Sequence, residues 1–136
     1  MERPEDFWAR CCAALGPEPA DRGFTVRRIG NTPELVDQLL GLIIAGDKRG
    51  TFSLPDALER NGTRPRAGDY LVLTRHNGAA GCLVQVETCD LVAFDQIGPA
   101  ELAIEGPDAR DPAAWRDVHE RYWTPMLAAW GQRLAP

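Results

Sequence analysis

Residues 33–46 read PELVDQLLGLIIAG, and this stretch limits the fold more than any other. Leu35, Val36, Leu39, Leu40, Ile43 and Ile44 recur at helical spacing as a double apolar row. Asn31 or Thr32 can cap the helix, Pro33 suits its first turn, Glu34 favours the dipole there, and Gly46 ends it. A helix with so broad an apolar face must bury it against a second layer.

Short strands supply that layer. Phe24 to Ile29 alternates as a strand, and residues 46–54 (GDKRGTFSL) read as a turn leading into another. Residues 55–62 form a short helix or turn opened by Pro55. Arg66 to Asp69 is a turn in which Asp69 stabilises its own backbone. Tyr70 to Thr74 and Ala80 to Thr88 form a hairpin about Asn77-Gly78, a dipeptide that favours the type I′ turn, with His76 solvated at its tip. Leu91 to Phe94 continues the sheet after a bend.

Helices flank these strands. Phe7, Trp8, Cys11, Cys12 and Leu15 share one helical face within Pro4 to Leu15, and Gly16-Pro17 stops that helix. Residues 16–23 read as a loop. Residues 99–105 suggest a short helix, and Asp111-Pro112 opens a longer one carrying Trp115, Val118, Tyr122 and Trp123. Pro125 should kink or end it, with Thr124 capping a further short helix. The layout is α+β, with residues 1–23 as an N-terminal helical extension to a domain over 24–136.

Composition narrows the function. The chain has 136 residues, the size of one domain, and a formal net charge of −5. That balance argues against coating long stretches of phosphate. The charge is uneven: Lys48, Arg49, Arg60, Arg64, Arg66 and Arg75 outnumber the acids within residues 48–76, whereas acids dominate residues 87–120. One side can therefore meet an anion, or both are ordinary solvated faces. The four cysteines form no C-x-x-C pair and there are two histidines, so no structural zinc is expected. The apolar run Leu39–Ala45, broken by Gly41, falls far short of the ~20 residues that span a bilayer. With acids in MERPEDFWAR where a leader would carry basic residues, we expect a cytoplasmic protein with no membrane partner.

The segment that carries chemistry is Gly46-Asp47-Lys48-Arg49-Gly50-Thr51. It lacks the spacing of a phosphate-binding Walker loop. On a regular strand Lys48 and Thr51 face opposite sides. Either the chain bends at Gly50 and the two side chains converge, or the segment begins a strand with an exposed lysine.

The G-x-K-x-x-T pattern after an apolar helix resembles the signature of the ASCH family. Gly68-Asp69-Tyr70, Phe94-Asp95, Ala103-x-Glu105-Gly106 and Trp115-x-x-x-His119-x-x-Tyr122-Trp123 are similar to further features of its larger bacterial members, so the likeness spans residues 32–124. Bacterial relatives often carry a second Thr just after the Lys, where this chain has Arg49 and Gly50. The resemblance implies a PUA-like antiparallel β-barrel with flanking helices and a cleft beside the signature. Some members are amidohydrolases on N4-acylated cytidines, using a Lys, a Thr and a Glu that match Lys48, Thr51 and Glu105. Others are metal-assisted ribonucleases or RNA-binding modules, so membership leaves the activity open.

In the hydrolase reading Lys48 is the base, Thr51 the nucleophile, and Glu105 the acid or the group that orients substrate. A lysine is a base only when neutral, and a nearby carboxylate holds the proton on it. Either Glu105 is itself protonated, or substrate binding rearranges the pair. The alternative is a structural Lys–Glu ion pair with Thr51 bonded to backbone. Gly46, Arg49, Tyr70 and His119 are candidate substrate contacts. Arg49 meets an anion or sits in water; Tyr70 and Tyr122 stack on a base or pack; His119 contacts substrate or is a hydrogen-bonded core residue. The expected partner is a small-molecule nucleoside or RNA, with no metal and no cofactor.

Overall fold

The computed structural model describes residues 1–62 and 64–135, which form two compact units. The first unit, Met1–Gly46 with Pro55–Cys89, contains α1 (Pro4–Leu15), α2 (Pro17–Arg22), β1 (Thr25–Arg27), α3 (Pro33–Ala45), α4 (Pro55–Arg60), β2 (Tyr70–Thr74) and β3 (Ala80–Gln85). Its sheet has the order β1-β2-β3. β1 runs parallel to β2 with Val26 opposite Val72, and β3 runs antiparallel with Leu83 opposite Val72.

β2 is central, and all five of its residues are buried. Its sequence YLVLT lacks polar alternation, as a strand covered on both faces requires. Leu71 and Leu73 pack with Leu40 of α3, and Ile29, Ile43, Cys82, Val84 and Val86 complete that cluster. Tyr70, on the alternate face, packs against Trp8 of α1 at 5.7 Å, and Trp8 also stacks on Phe24 at 5.0 Å. The cap of α3 is Thr32, which accepts a hydrogen bond from the Leu35 N–H, and Gly46 ends the helix in the left-handed conformation. Both were legible from the residues.

Local expectations fail where tertiary or turn geometry intervenes. Residues 17–22 are helical rather than a loop, with Pro17 in the first turn and an Arg22–Glu18 pair four residues apart. In the hairpin only Gly78 has positive φ; Asn77 does not, so the turn is not type I′. Instead the Gly78 N–H bonds to the Arg75 carbonyl, and the Asn77 side chain accepts from the Ala79 N–H. Asp69 closes its own turn by accepting from the Arg66 N–H at 2.8 Å. His76 is not simply solvated, since its Nδ1 lies 2.8 Å from Asp37.

The described residues do not confirm the implied barrel: their sheet has three strands and does not close. Residues 51–54 and 91–93, expected as strands, are irregular. Just before the first of these, the Arg49 and Gly50 N–H groups bond to the carbonyl of Ile104 rather than to a strand ladder.

The second unit, Asp47–Leu54 with the chain from Asp90 onward, contains α5 (Pro99–Leu102), α6 (Pro112–Ala129) and two short 3₁₀ turns. Its core is Ile97, Leu102, Trp115 and Trp123, joined by Phe52, Leu54, Phe94, Met126 and Leu134. Asp111 caps α6 by accepting from the Ala114 N–H. The expected break at Pro125 does not occur, and α6 runs through to Ala129. Trp115, Trp123 and Leu127 lie on one buried face, so packing on both sides of Pro125 outweighs the ~3 kcal/mol such a proline costs.

Two glycines give opposite expectations. Gly41 lies within α3 with nothing near the position of an added Cβ. Gly41→Ala should stabilise by about 0.5–1 kcal/mol, because alanine loses less backbone freedom on folding. A Cβ at Gly81 would stand 2.4 Å from Leu40 Cδ2 and 3.0 Å from the Leu73 carbonyl. Gly81→Ala should destabilise by about 1–3 kcal/mol. Urea unfolding of the two variants beside the wild type reads both signs.

Candidate functional site

Within the second unit, Lys48 Nζ donates to Glu105 Oε2 at 2.7 Å. The Lys48 side chain is 2% exposed and that of Glu105 7%, so the pair sits out of bulk water. Such a contact is charge-assisted and short, and solvent screens it little.

Backbone contacts fix the two segments that carry it. The Ile104 carbonyl accepts from the Arg49 N–H at 2.7 Å and from the Gly50 N–H at 3.2 Å. Arg110 holds the other side: its Nε donates to the Glu105 carbonyl at 2.8 Å, and its guanidinium reaches the Asp47 carbonyl at 3.1 Å. One arginine thus ties together the residue before Lys48 and the residue that pairs with it. Gly50 is not in the left-handed region. Its lack of a side chain serves close approach instead, since a Cβ there would stand 2.5 Å from Ile104 Cδ1. Of the two alternatives, a bend at Gly50 or a strand entry with an exposed lysine, the buried Lys48 contradicts the second, and Gly50 also meets a steric need at Ile104.

Thr51 follows this anchored stretch and is half-buried, while Arg49 is exposed. Gly46 and Tyr70 belong to the first unit, Gly46 as the cap of α3 and Tyr70 as a buried residue of β2. Tyr122 is 43% exposed rather than packed. The four cysteines are free thiols. Among the described residues no three His, Cys, Asp or Glu side chains group as a metal site would need, and no helix is long and apolar enough to cross a membrane.

His119 is half-buried on α6. Its ring stacks on Trp115 with centroids 4.1 Å apart and meets Trp123 edge-on at 5.0 Å. Nδ1 lies 2.8 Å from the Trp115 carbonyl. A carbonyl only accepts, so Nδ1 carries the hydrogen and the neutral ring keeps its lone pair on Nε2. Burial pushes the His119 pKa below its ordinary value, against the Trp115 hydrogen bond and the Glu105 carboxylate, which favour protonation; the Lys48 ammonium also opposes it. The ring is therefore neutral at pH 7 and within electrostatic reach of both members of the pair. Beside it, the Trp115 indole N–H is fully buried without an acceptor among the described residues.

The residues alone did not single out Arg110, Ile104 or the Trp115 N–H. Arg110 acts across 63 positions through a backbone carbonyl, a contact that no local pattern encodes.

Glu105→Gln leaves the Lys48 ammonium buried without its counter-charge and should cost about 3–5 kcal/mol in urea unfolding. Replacing both, as Lys48→Met with Glu105→Leu, should cost clearly less than the sum of the two single changes. Additive losses would mean that the two side chains do not interact.

The arrangement can be compared with known proteins. The sequence pattern of the ASCH domain matches residues 25–136. A crystal structure of an ASCH domain from Lactobacillus crispatus is similar with TM-score 0.85 and 19% identity, over 96% of this chain and 84% of that one. A protein from Enterococcus faecalis is similar with TM-score 0.78 and 18% identity, over 97% of this chain and 79% of its own. At such identities the two structures share the α+β fold and nothing finer is carried over. No curated protein matches the chain. With the domain pattern covering most of its length, the chain belongs to the ASCH domain family.

Proposed function

We propose that this protein is an amidohydrolase that removes the acyl group from an N4-acylated cytidine-type nucleoside. The observation that carries this reading is the ion pair between Lys48 and Glu105, 2.7 Å apart and out of bulk water, on a segment that reaches Thr51 three residues later. A dry site makes two neutral partners a workable alternative to two charged ones, because neither ion is solvated there.

The proton then moves from the Lys48 ammonium to the Glu105 carboxylate when substrate enters. Neutral Lys48 takes the Thr51 hydroxyl proton as Oγ attacks the acyl carbon. The bond from that carbon to N4 breaks, and the Glu105 carboxyl protonates N4, so cytidine leaves with its amine restored. The acyl group remains as an ester on Thr51. Water attacks the ester, giving its proton to the Glu105 carboxylate, while the Lys48 ammonium returns a proton to Thr51 Oγ. The products are the free acid and the neutral pair. Arg110 holds the backbones of Asp47 and Glu105 in place through both halves.

The RNA-binding alternative draws on the basic excess of residues 48–76. Two of those charges are already engaged, Lys48 with Glu105 and Arg64 with Glu59 at 2.9 Å. A small uncharged base suits the overall charge of −5 better than a polyanion does.

The test is incubation of purified protein with N4-acetylcytidine, following cytidine by chromatography. Wild type should release cytidine, and Lys48→Ala and Thr51→Ala should each lose about 100-fold or more in kcat/KM. No release by wild type, or equal release by Lys48→Ala, overturns the proposal.

A further inference from the structure

We propose that His119 is a specificity-determining residue whose Nε2 accepts a hydrogen bond from the substrate's amide N–H, so that the site takes secondary amides and rejects tertiary ones. This rests on the hydrolase reading and deepens it. Three observations support it. First, the Trp115 carbonyl fixes the hydrogen on Nδ1, so Nε2 is an acceptor by construction. Second, stacking on Trp115 and the edge contact with Trp123 hold the ring in one orientation. Third, Trp115 Nε1 is the one fully buried side-chain polar atom without a partner among the described residues. Nε2 of His119, on a half-buried residue, has no hydrogen-bond partner among the described residues and is left for a ligand.

The chemistry selects the ligand. An N4-monoacylated cytosine presents one N–H at the scissile bond. That N–H must be left free for a lone acceptor, because Glu105 acts on N4 only as the bond breaks. An N4-methyl group removes the donor and puts a methyl against Nε2, leaving the acceptor unmatched. Protonation of His119 has the same effect by turning Nε2 into a donor. The charged groups acting on the ring are Glu105, which favours protonation, and Lys48, which opposes it; burial, the largest influence, also opposes it. Selectivity should therefore persist at neutral pH and fade only as pH falls through the depressed His119 value.

The experiment compares N4-acetylcytidine with N4-acetyl-N4-methylcytidine as a ratio of kcat/KM, so that their intrinsic reactivities cancel between variants. His119→Phe keeps a ring on Trp115 but removes the acceptor, and should lower the ratio by about tenfold. His119→Gln, whose amide oxygen reaches near the Nε2 position, should restore part of it. Near-UV circular dichroism checks that both variants are folded. A second reading needs no turnover: in ¹⁵N-histidine-labelled Thr51→Ala protein, saturating N4-acetylcytidine should move the His119 Nε2 resonance, and the methylated analogue should not. An unchanged ratio in His119→Phe, or an Nε2 resonance that ignores bound N4-acetylcytidine, overturns the His119 role even if wild type is active. Nε2 movement in a protein that releases no cytidine overturns the hydrolase reading alone. No binding and no turnover overturns both.

Discussion

Taking the Lys48 ammonium and the Glu105 carboxylate out of water costs several kcal/mol per ion, and their mutual attraction only roughly offsets it. The contact at 2.7 Å is thus a poor way to gain stability. A methionine against a leucine would pack the same space at less cost. What the pair does supply is register. It selects one alignment of residues 47–50 along residues 104–105, across 57 positions of sequence. The Ile104 carbonyl and the Arg110 guanidinium then reinforce that alignment from the backbone. Four hydrogen bonds and one ion pair thus converge on these two short segments.

The same dryness governs how protons can be arranged. In water an ammonium and a carboxylate stay charged. In a site that excludes water neither ion is hydrated, and each depends on the other for stabilisation. His119 lies within reach of both charges, which act on its ring with opposite sign. The Trp115 carbonyl, rather than either charge, sets the His119 tautomer.

Much of the fold was legible because it is local. Thr32, Pro33 and Gly46 mark the bounds of α3, and the YLVLT run marks a strand with both faces covered. Asp111-Pro112 opens α6 for the same reason, a cap beside its own helix. The failures have a common cause. Pro125 forbids a hydrogen bond locally, yet Trp115, Trp123 and Leu127 bury one continuous face and carry the helix past it. Asn77-Gly78 favours a mirror-image turn, but only the glycine turns left-handed. Residues 51–54 have the composition of a strand, but the N–H groups of Arg49 and Gly50 just ahead of them are directed to Ile104. In the candidate site, residue types alone left Lys48 and Glu105 between chemistry and a plain ion pair. Only the family likeness linked them before any coordinates did. Arg110 escaped both routes, because a guanidinium that binds carbonyls leaves no charge partner to look for.

Charge in the sequence also misleads about charge at the surface. Residues 48–76 carry an excess of basic side chains, which reads as a patch for phosphate. Lys48 is inside, facing a carboxylate from the acidic half of the chain, and Arg64 is turned to Glu59. Arg49, Arg66 and Arg75 remain exposed, but the chain carries a net charge of −5, which disfavours a polyanion. A buried lysine is discounted twice in such a count: it leaves the surface, and it neutralises an acid that would otherwise repel. The demands on a ligand then shift from charge to hydrogen-bond pattern. The neutral base with one N–H proposed as substrate asks for an acceptor such as Nε2 of His119 rather than for a cationic surface.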